Sequence, residues 1–341
     1  GRSVRRVSAP AQDLVSINLG LLPRLSKGYR DYALRVKLES AENQVLDQMD
    51  REFRVLADEP PPPGEHIAII GSGFTLGRRP FFVLSTELSL PVACTGDGAR
   101  PNRNALDPEV FDPAALRREL QRAQTTGINM LQVSLEHAGQ VPALRWLLAE
   151  LRPLAIRLQL RVGGLDPLDL DLPRARALLE AARVVEDPLV VALEVGACST
   201  LGPAVERQRW DPAWRDWLVE QYGTVEHAER VWGQPVWRHE GQPCGPPDEA
   251  LMAAGPGTPA LSAYRRFVDD LISSRTGDIR RLLDEMGCRA LIGVRRGWGG
   301  PPEQFPLDAT AGRVHADFVS LDVSGLLDDE AALARADYCT A

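Results

Sequence analysis

The stretch VVALEVGACS, Val190 to Ser199, sets one carboxylate inside an apolar run and then closes on small residues. Glu194 is a candidate acid catalyst there. It reads equally as an inward polar residue satisfied by neighbours, since a buried carboxylate without partners is costly. Other chemistry-bearing side chains stand where apolar runs end: Glu87 after the first, Glu136 and His137 after the second, Arg161 at the third, and Asp322 in LDVSG. Arg295 and Trp298 follow another run in RRGWGG, where an indole could face a ligand ring or simply pack a Gly-rich loop. Metal chemistry is not indicated, because the five cysteines include no C-x-x-C and the five histidines no H-E-x-x-H. No cofactor motif is present: no G-x-G-x-x-G follows the first strand of the α/β region.

The elements that must position these residues fall into two kinds. Residues 1–59 read as strands, with Tyr32, Leu34, Val36 and Leu38 alternating with polar residues and a second strand at REFRVL, like the last part of a β-sandwich. The run DEPPPPG makes residues 60–65 a stiff linker. From residue 66 to 341, strands alternate with helices, the pattern of a parallel α/β fold. Strands are expected at 81–88, 130–135, 156–162, 188–195, 289–296 and 316–323, with helices over 112–127, 141–155, 172–185 and 262–287. Asp112 and Pro113 open the first helix as N-cap and first residue, and Gly127 stops it. A Trp- and Pro-rich insertion occupies about 198–258. Six βα units in succession favour a (β/α)8 TIM barrel over an open doubly wound sheet.

The net charge of −8 argues against a general nucleic-acid binder. No apolar run approaches the roughly 18 residues that a membrane span requires. The oligomeric state stays open, a homo-oligomer included, and so does the compartment. Both termini read as cut within a longer protein, the first lacking an initiator Met and the last lying in an uncapped helical pattern.

The insertion carries a family likeness. RWDPAWRDWLVEQYGTVEHAERVWG, residues 209–233, resembles a helix-turn-helix that follows the fourth strand in barrel glycoside hydrolases related to the family forty-two β-galactosidases. Trp214, Trp217, Leu218, Tyr222, Gly223, Val225, Glu226, Trp232 and Gly233 match that motif in spacing. FTLGRRPFFVLS resembles the hairpin leading into their first strand, and FDPAALRRELQRAQTTGINMLQV their first helix and second strand. The likeness covers most of residues 66–325. It implies a carbohydrate partner, with Glu87, Gln132, Glu136, His137, Arg161, Arg295, Trp298 and Asp322 as candidate sugar-binding residues. It also implies a retaining mechanism, in which an acid/base Glu ends the fourth strand and a nucleophilic Glu ends the seventh. Such carboxyl groups stand about 5–5.5 Å apart across the glycosidic bond. The seventh and eighth strands are then expected beyond Ala341.

At two positions the chain departs from the family. Where the fourth strand carries its catalytic Glu, this chain has Cys198, and the second strand's Arg is Gln132. A thiol fits an oxocarbenium-like reaction poorly, so Cys198 reads as a small strand-end residue. Two alternatives follow: acid catalysis at this position is lost, leaving a carbohydrate-binding or assembly barrel, or a displaced acid such as Glu194 serves instead.

Overall fold

The computed structural model describes residues 30–40, 44–55, 64–71, 73–91, 102–197, 204–247, 258–297 and 315–322. The chain divides into two compact units, Gly1–Pro60 and Pro61–Ala341. In the first, β1 (Arg30–Glu39) and β2 (Val45–Val55) form an antiparallel ribbon. The second strand begins six residues before the expected REFRVL, because pairing with β1 continues down to Val45. Arg35 pairs with Asp50 across this ribbon, Nε to Oδ1 at 2.7 Å.

The second unit starts with a small antiparallel meander, β3 (Ile67–Ile70), β4 (Gly73–Leu76) and β5 (Arg79–Pro80). Then β6 (Ser85–Glu87) opens the main sheet, while β7 (Ser89–Pro91) pairs with β8 (Asn102–Asn104). The run 81–88 yields a strand only from Ser85. Upstream of it the Asn129 side chain replaces the ladder, donating from Nδ2 to the Phe82 carbonyl at 2.6 Å and accepting from the Leu84 N–H at 2.9 Å.

Helix α1 (Pro113–Thr125) begins as expected. The Asp112 carboxylate accepts from the amides of Ala114 and Ala115, meeting donors that the first turn leaves unpaired. Leu116, Leu120 and Ala123 form its buried stripe, and Gly127 turns the chain at φ 80°. There follow β9 (Met130–Leu135), α2 (Val141–Leu154), β10 (Arg157–Val162), α3 (Leu172–Ala182) and β11 (Val190–Ala197). After the insertion come the long helix α7 (Pro259–Glu285), β14 (Leu291–Gly297) and β15 (Phe318–Asp322).

The insertion itself holds α4 (Ala204–Arg207), α5 (Asp211–Tyr222), α6 (Val225–Trp232) and a ribbon of β12 (Arg238–His239) and β13 (Gln242–Pro243).

The main sheet has six strands in the order β15-β14-β11-β10-β9-β6, and every neighbouring pair is parallel. Spatial order follows chain order throughout, with no reversal point such as a doubly wound sheet has. This is an α/β fold of the kind found in part of a TIM barrel. Its helix-facing side is apolar: Leu131, Val133, Leu135, Leu158, Leu160, Val162, Leu193 and Val195 pack with α1, α2 and α3 into the largest core cluster. Each such leucine or valine contributes about 1.5–3 kcal/mol by leaving water.

Candidate functional site at the carboxyl ends of the strands

The other face of the same strands changes character along its length. At the amino ends it is apolar: Met130, Val191 and Ala192 meet Phe318 and Leu291. Ile67, Phe74 and Leu76 of the meander, with Phe81 and Val83, pack beneath them. The Phe74 and Phe318 rings meet edge to face, with centroids 5.5 Å apart. Gly293 leaves the Phe318 ring its place, since a Cβ on that residue would overlap it.

Toward the carboxyl ends the same face turns polar. Glu87, Gln132, Ser134, Gln159, Arg161 and Glu194, with Val133, line one cleft. Register explains the grouping. Glu87 is opposite Gln132, which is opposite Gln159, and one row higher Ser134 is opposite Arg161, which is opposite Glu194. Strand β11 has an extra residue against β10: Val190 pairs with Leu158, and Ala192 already pairs with Gln159. That bulge carries Glu194 into the row of Arg161.

Glu194 is 3% exposed. Its Oε1 accepts from Arg161 Nη2 at 2.8 Å and from Nε at 3.3 Å, while Oε2 accepts from Gln159 Nε2 at 2.6 Å. A carboxylate that deep needs such partners, because desolvation costs several kcal/mol per ion. Both of its oxygens therefore stand as hydrogen-bond acceptors, whereas a general acid must turn an O–H toward its leaving group. Gln132 donates weakly to Ser85 Oγ at 3.4 Å, and Glu87 is exposed at the rim.

The structure thus brings together four of the residues singled out in the sequence: Glu87, Gln132, Arg161 and Glu194. It adds Gln159 and Ser134, which alternation within RLQLRV and MLQVSL placed on the inward side.

Glu136 and His137 belong to a separate cluster that does not line this cleft. There Gln140, 1% exposed, accepts from the Glu136 N–H at 2.6 Å and donates to Asp107 at 2.5 Å. His137 Nε2 is 3.5 Å from the same aspartate, and the Glu136 carbonyl accepts from Arg174 at 2.6 Å. These bonds fix the turn after β9.

Arg295 lies in β14 opposite Ala197 and Ser320, and Asp322 ends β15 opposite Gly297. The side chains of Arg295 and Asp322 are outside the description, and Cys198 and Trp298 lie outside the described residues altogether. Among the described residues no group of three or more His, Cys, Asp or Glu could hold a metal ion. No helix among them is long and apolar enough to cross a membrane.

The residues of the 209–233 motif form a helix-turn-helix core. Trp214 is fully buried and stacks on Trp217 at 5.3 Å, and it meets Tyr264 edge-on at 5.2 Å. Gly223 turns the chain at φ 79° between α5 and α6, and Thr224 caps α6 by accepting from the His227 N–H. The matched tryptophans are packing residues.

No protein-family model matches the chain, and no curated protein does. Among solved structures, the cold-adapted β-galactosidase from Rahnella sp. R3 is similar at 15% identity and TM-score 0.45, over 63% of this chain and 38% of that one. The endo-1,4-β-mannanase from Eisenia fetida is similar at 10% identity and TM-score 0.38, over 75% of this chain and 72% of that one. The AHE enzyme from Alicyclobacillus herbarius gives 11% identity and TM-score 0.26, over 57% and 40%. The chain thus spans well under half of the Rahnella enzyme's length.

Proposed function

We propose that the chain belongs to a glycoside-hydrolase-like (β/α)8 barrel of the β-galactosidase-related kind. In this reading it binds a carbohydrate at the carboxyl rim of its sheet and has lost general acid catalysis at Cys198. The polar cleft carries the proposal: one side of a parallel sheet, a place that bulky aliphatic residues ordinarily fill, holds six polar side chains from four consecutive strands. Active sites of such barrels lie at that end. The residues of the 209–233 motif, folded as a helix-turn-helix after the fourth strand, add support.

The pairing of Glu194 favours loss of the acid over its displacement. Both carboxylate oxygens already accept from Gln159 and Arg161. Missing general acid catalysis lowers the rate by typically about 10²–10⁴-fold, and least where the leaving group departs without a proton.

Calorimetric titration with methyl β-D-galactopyranoside, alongside assays on alkyl and p-nitrophenyl β-galactosides, tests this reading. Saturable binding is expected, with the alkyl glycoside left intact. In a chain that includes the seventh strand, cleavage of the p-nitrophenyl glycoside alone would mark an enzyme that lacks only its acid, and no cleavage a binding barrel. Brisk hydrolysis of the alkyl glycoside, abolished by Glu194→Gln, would overturn the loss of the acid and make Glu194 the proton donor. Failure to bind any β-pyranoside would end the carbohydrate reading.

A further inference from the structure

Building on the carbohydrate reading, we infer that Glu194 is a specificity-determining residue: by neutralising Arg161 it makes the site accept uncharged pyranosides and turn acidic ones away. Among the described residues that line the cleft, Arg161 is the one cation, and Glu87 and Glu194 are both acidic. An arginine fork open to a cleft is a ready receptor for a sugar carboxylate, since its parallel N–H groups match the two oxygens. Here the fork is taken. Nε and Nη2 of Arg161 both point at Oε1 of Glu194.

Glu194 cannot readily swing aside, because Gln159 holds its other oxygen at 2.6 Å and the residue is 3% exposed. An entering carboxylate would therefore meet two like charges and an arginine already paired. Built-in repulsion of this sort is how a site rejects a near-isostere of its ligand. A neutral sugar meets no such penalty. Arg161, whose side chain is 32% exposed, can still offer Nη1 to a hydroxyl, and Glu87 at the rim can accept from a neighbouring one.

The test compares methyl β-D-galactopyranoside with methyl β-D-galactopyranosiduronate by calorimetry, on the wild type and on Glu194→Gln. The amide keeps the size of the side chain and an acceptor for Arg161; Gln159 can rotate its own amide to face the new donor. Wild type is expected to prefer the neutral glycoside by about tenfold or more, the effect of one unbalanced charge at a partly solvated site. In Glu194→Gln that ratio should fall to near one or reverse.

A double variant, Arg161→Gln with Glu194→Gln, removes the pair while Glu87 remains. Its preference for the neutral sugar should return toward the wild-type ratio. Read beside Glu194→Gln, this arm assigns the shift to the freed guanidinium; if the single variant folds poorly by circular dichroism, Arg161→Gln replaces it, and leaving Glu194 without its cation should widen the preference for the neutral sugar. Equal binding of both sugars by the wild type would overturn the inference and leave the carbohydrate reading standing. So would an unchanged ratio in folded Glu194→Gln, or a double variant that binds the acidic sugar as well as the neutral one. Binding of neither sugar by the wild type would remove the carbohydrate reading itself, and this inference with it.

Discussion

The two faces of β9, β10 and β11 obey different rules although they alternate residue by residue. Outward, Leu131, Val133, Leu158, Leu160, Leu193 and Val195 vanish into one apolar core with the helices. Inward, Gln132, Ser134, Gln159, Arg161 and Glu194 form a polar row that ends at an exposed glutamate. The outward face is held by area and fit, which are insensitive to charge. The inward face is held by a chain of named donors and acceptors, each of which has only one or two substitutes. A fold can therefore keep its stability on one side of a strand while its chemistry is rewritten on the other.

The sharpest way to break this comparison is one change on each side of the same strand. Leu160→Ala opens a cavity on a side chain with no exposure and is expected to cost about 2–5 kcal/mol in urea unfolding. It should leave the preference between neutral and acidic sugars unaltered. If that preference shifts with Leu160→Ala, the two faces are not independent.

Gln159→Leu, the adjacent residue on the inward face, should cost less in the same assay. It removes a donor from a buried carboxylate that Arg161 still holds, a loss of about 1–3 kcal/mol. A loss equal to or larger than that of Leu160→Ala would show that the polar row carries the stability of the sheet. In contrast to the leucine change, this one should loosen Arg161 and weaken sugar binding.

Much of this division was legible in the sequence, and the reason is geometric. MLQVSL reads apolar and polar by turns, and the strand occupies those six residues, Met130 to Leu135. RLQLRV behaves alike. Gln132 was singled out by the family resemblance and Arg161 as a strand end; the alternation of both strands sets them on one face with Gln159 and Ser134, a step the sequence allowed but the local reading did not take.

What the sequence hid is long-range. The clasp by Asn129 that delays the first sheet strand to Ser85 joins residues 45 and 47 apart in sequence. The bulge at Val191, which sets Glu194 beside Arg161, depends on a neighbouring strand that local pattern does not show. The bonding of Gln140 to Asp107, which draws Glu136 and His137 away from the cleft, is of the same sort. Side chains at strand ends were found, but whether they converge was decided by register.

The smallest effect expected concerns a second carboxylate held by a different rule. Asp211, at the start of α5, accepts from the Gly245 N–H at 3.0 Å, a single backbone bond rather than a paired guanidinium. Burial pushes its pKa above the ordinary carboxylate value; the Gly245 bond and the more distant Arg215, His239 and Arg207 pull it back only in part. A raised folded-state value means that the neutral form suits the fold. The stabilising contribution is thus complete below the unfolded pKa of about 4 and is lost as pH rises through the higher folded value. Asp211→Asn fixes the neutral form and keeps an acceptor for Gly245. Thermal melts of the two proteins should coincide near about pH 3 and separate as pH rises toward neutrality, with the variant the more stable. The gap should level off once the wild-type carboxyl is fully ionised. A gap that narrows or changes sign with rising pH would mean that the cations around Asp211 outweigh its burial. It would then be held by the rule that governs Glu194, and the contrast between an acid paired with a guanidinium and a half-buried one held by a backbone bond would fall.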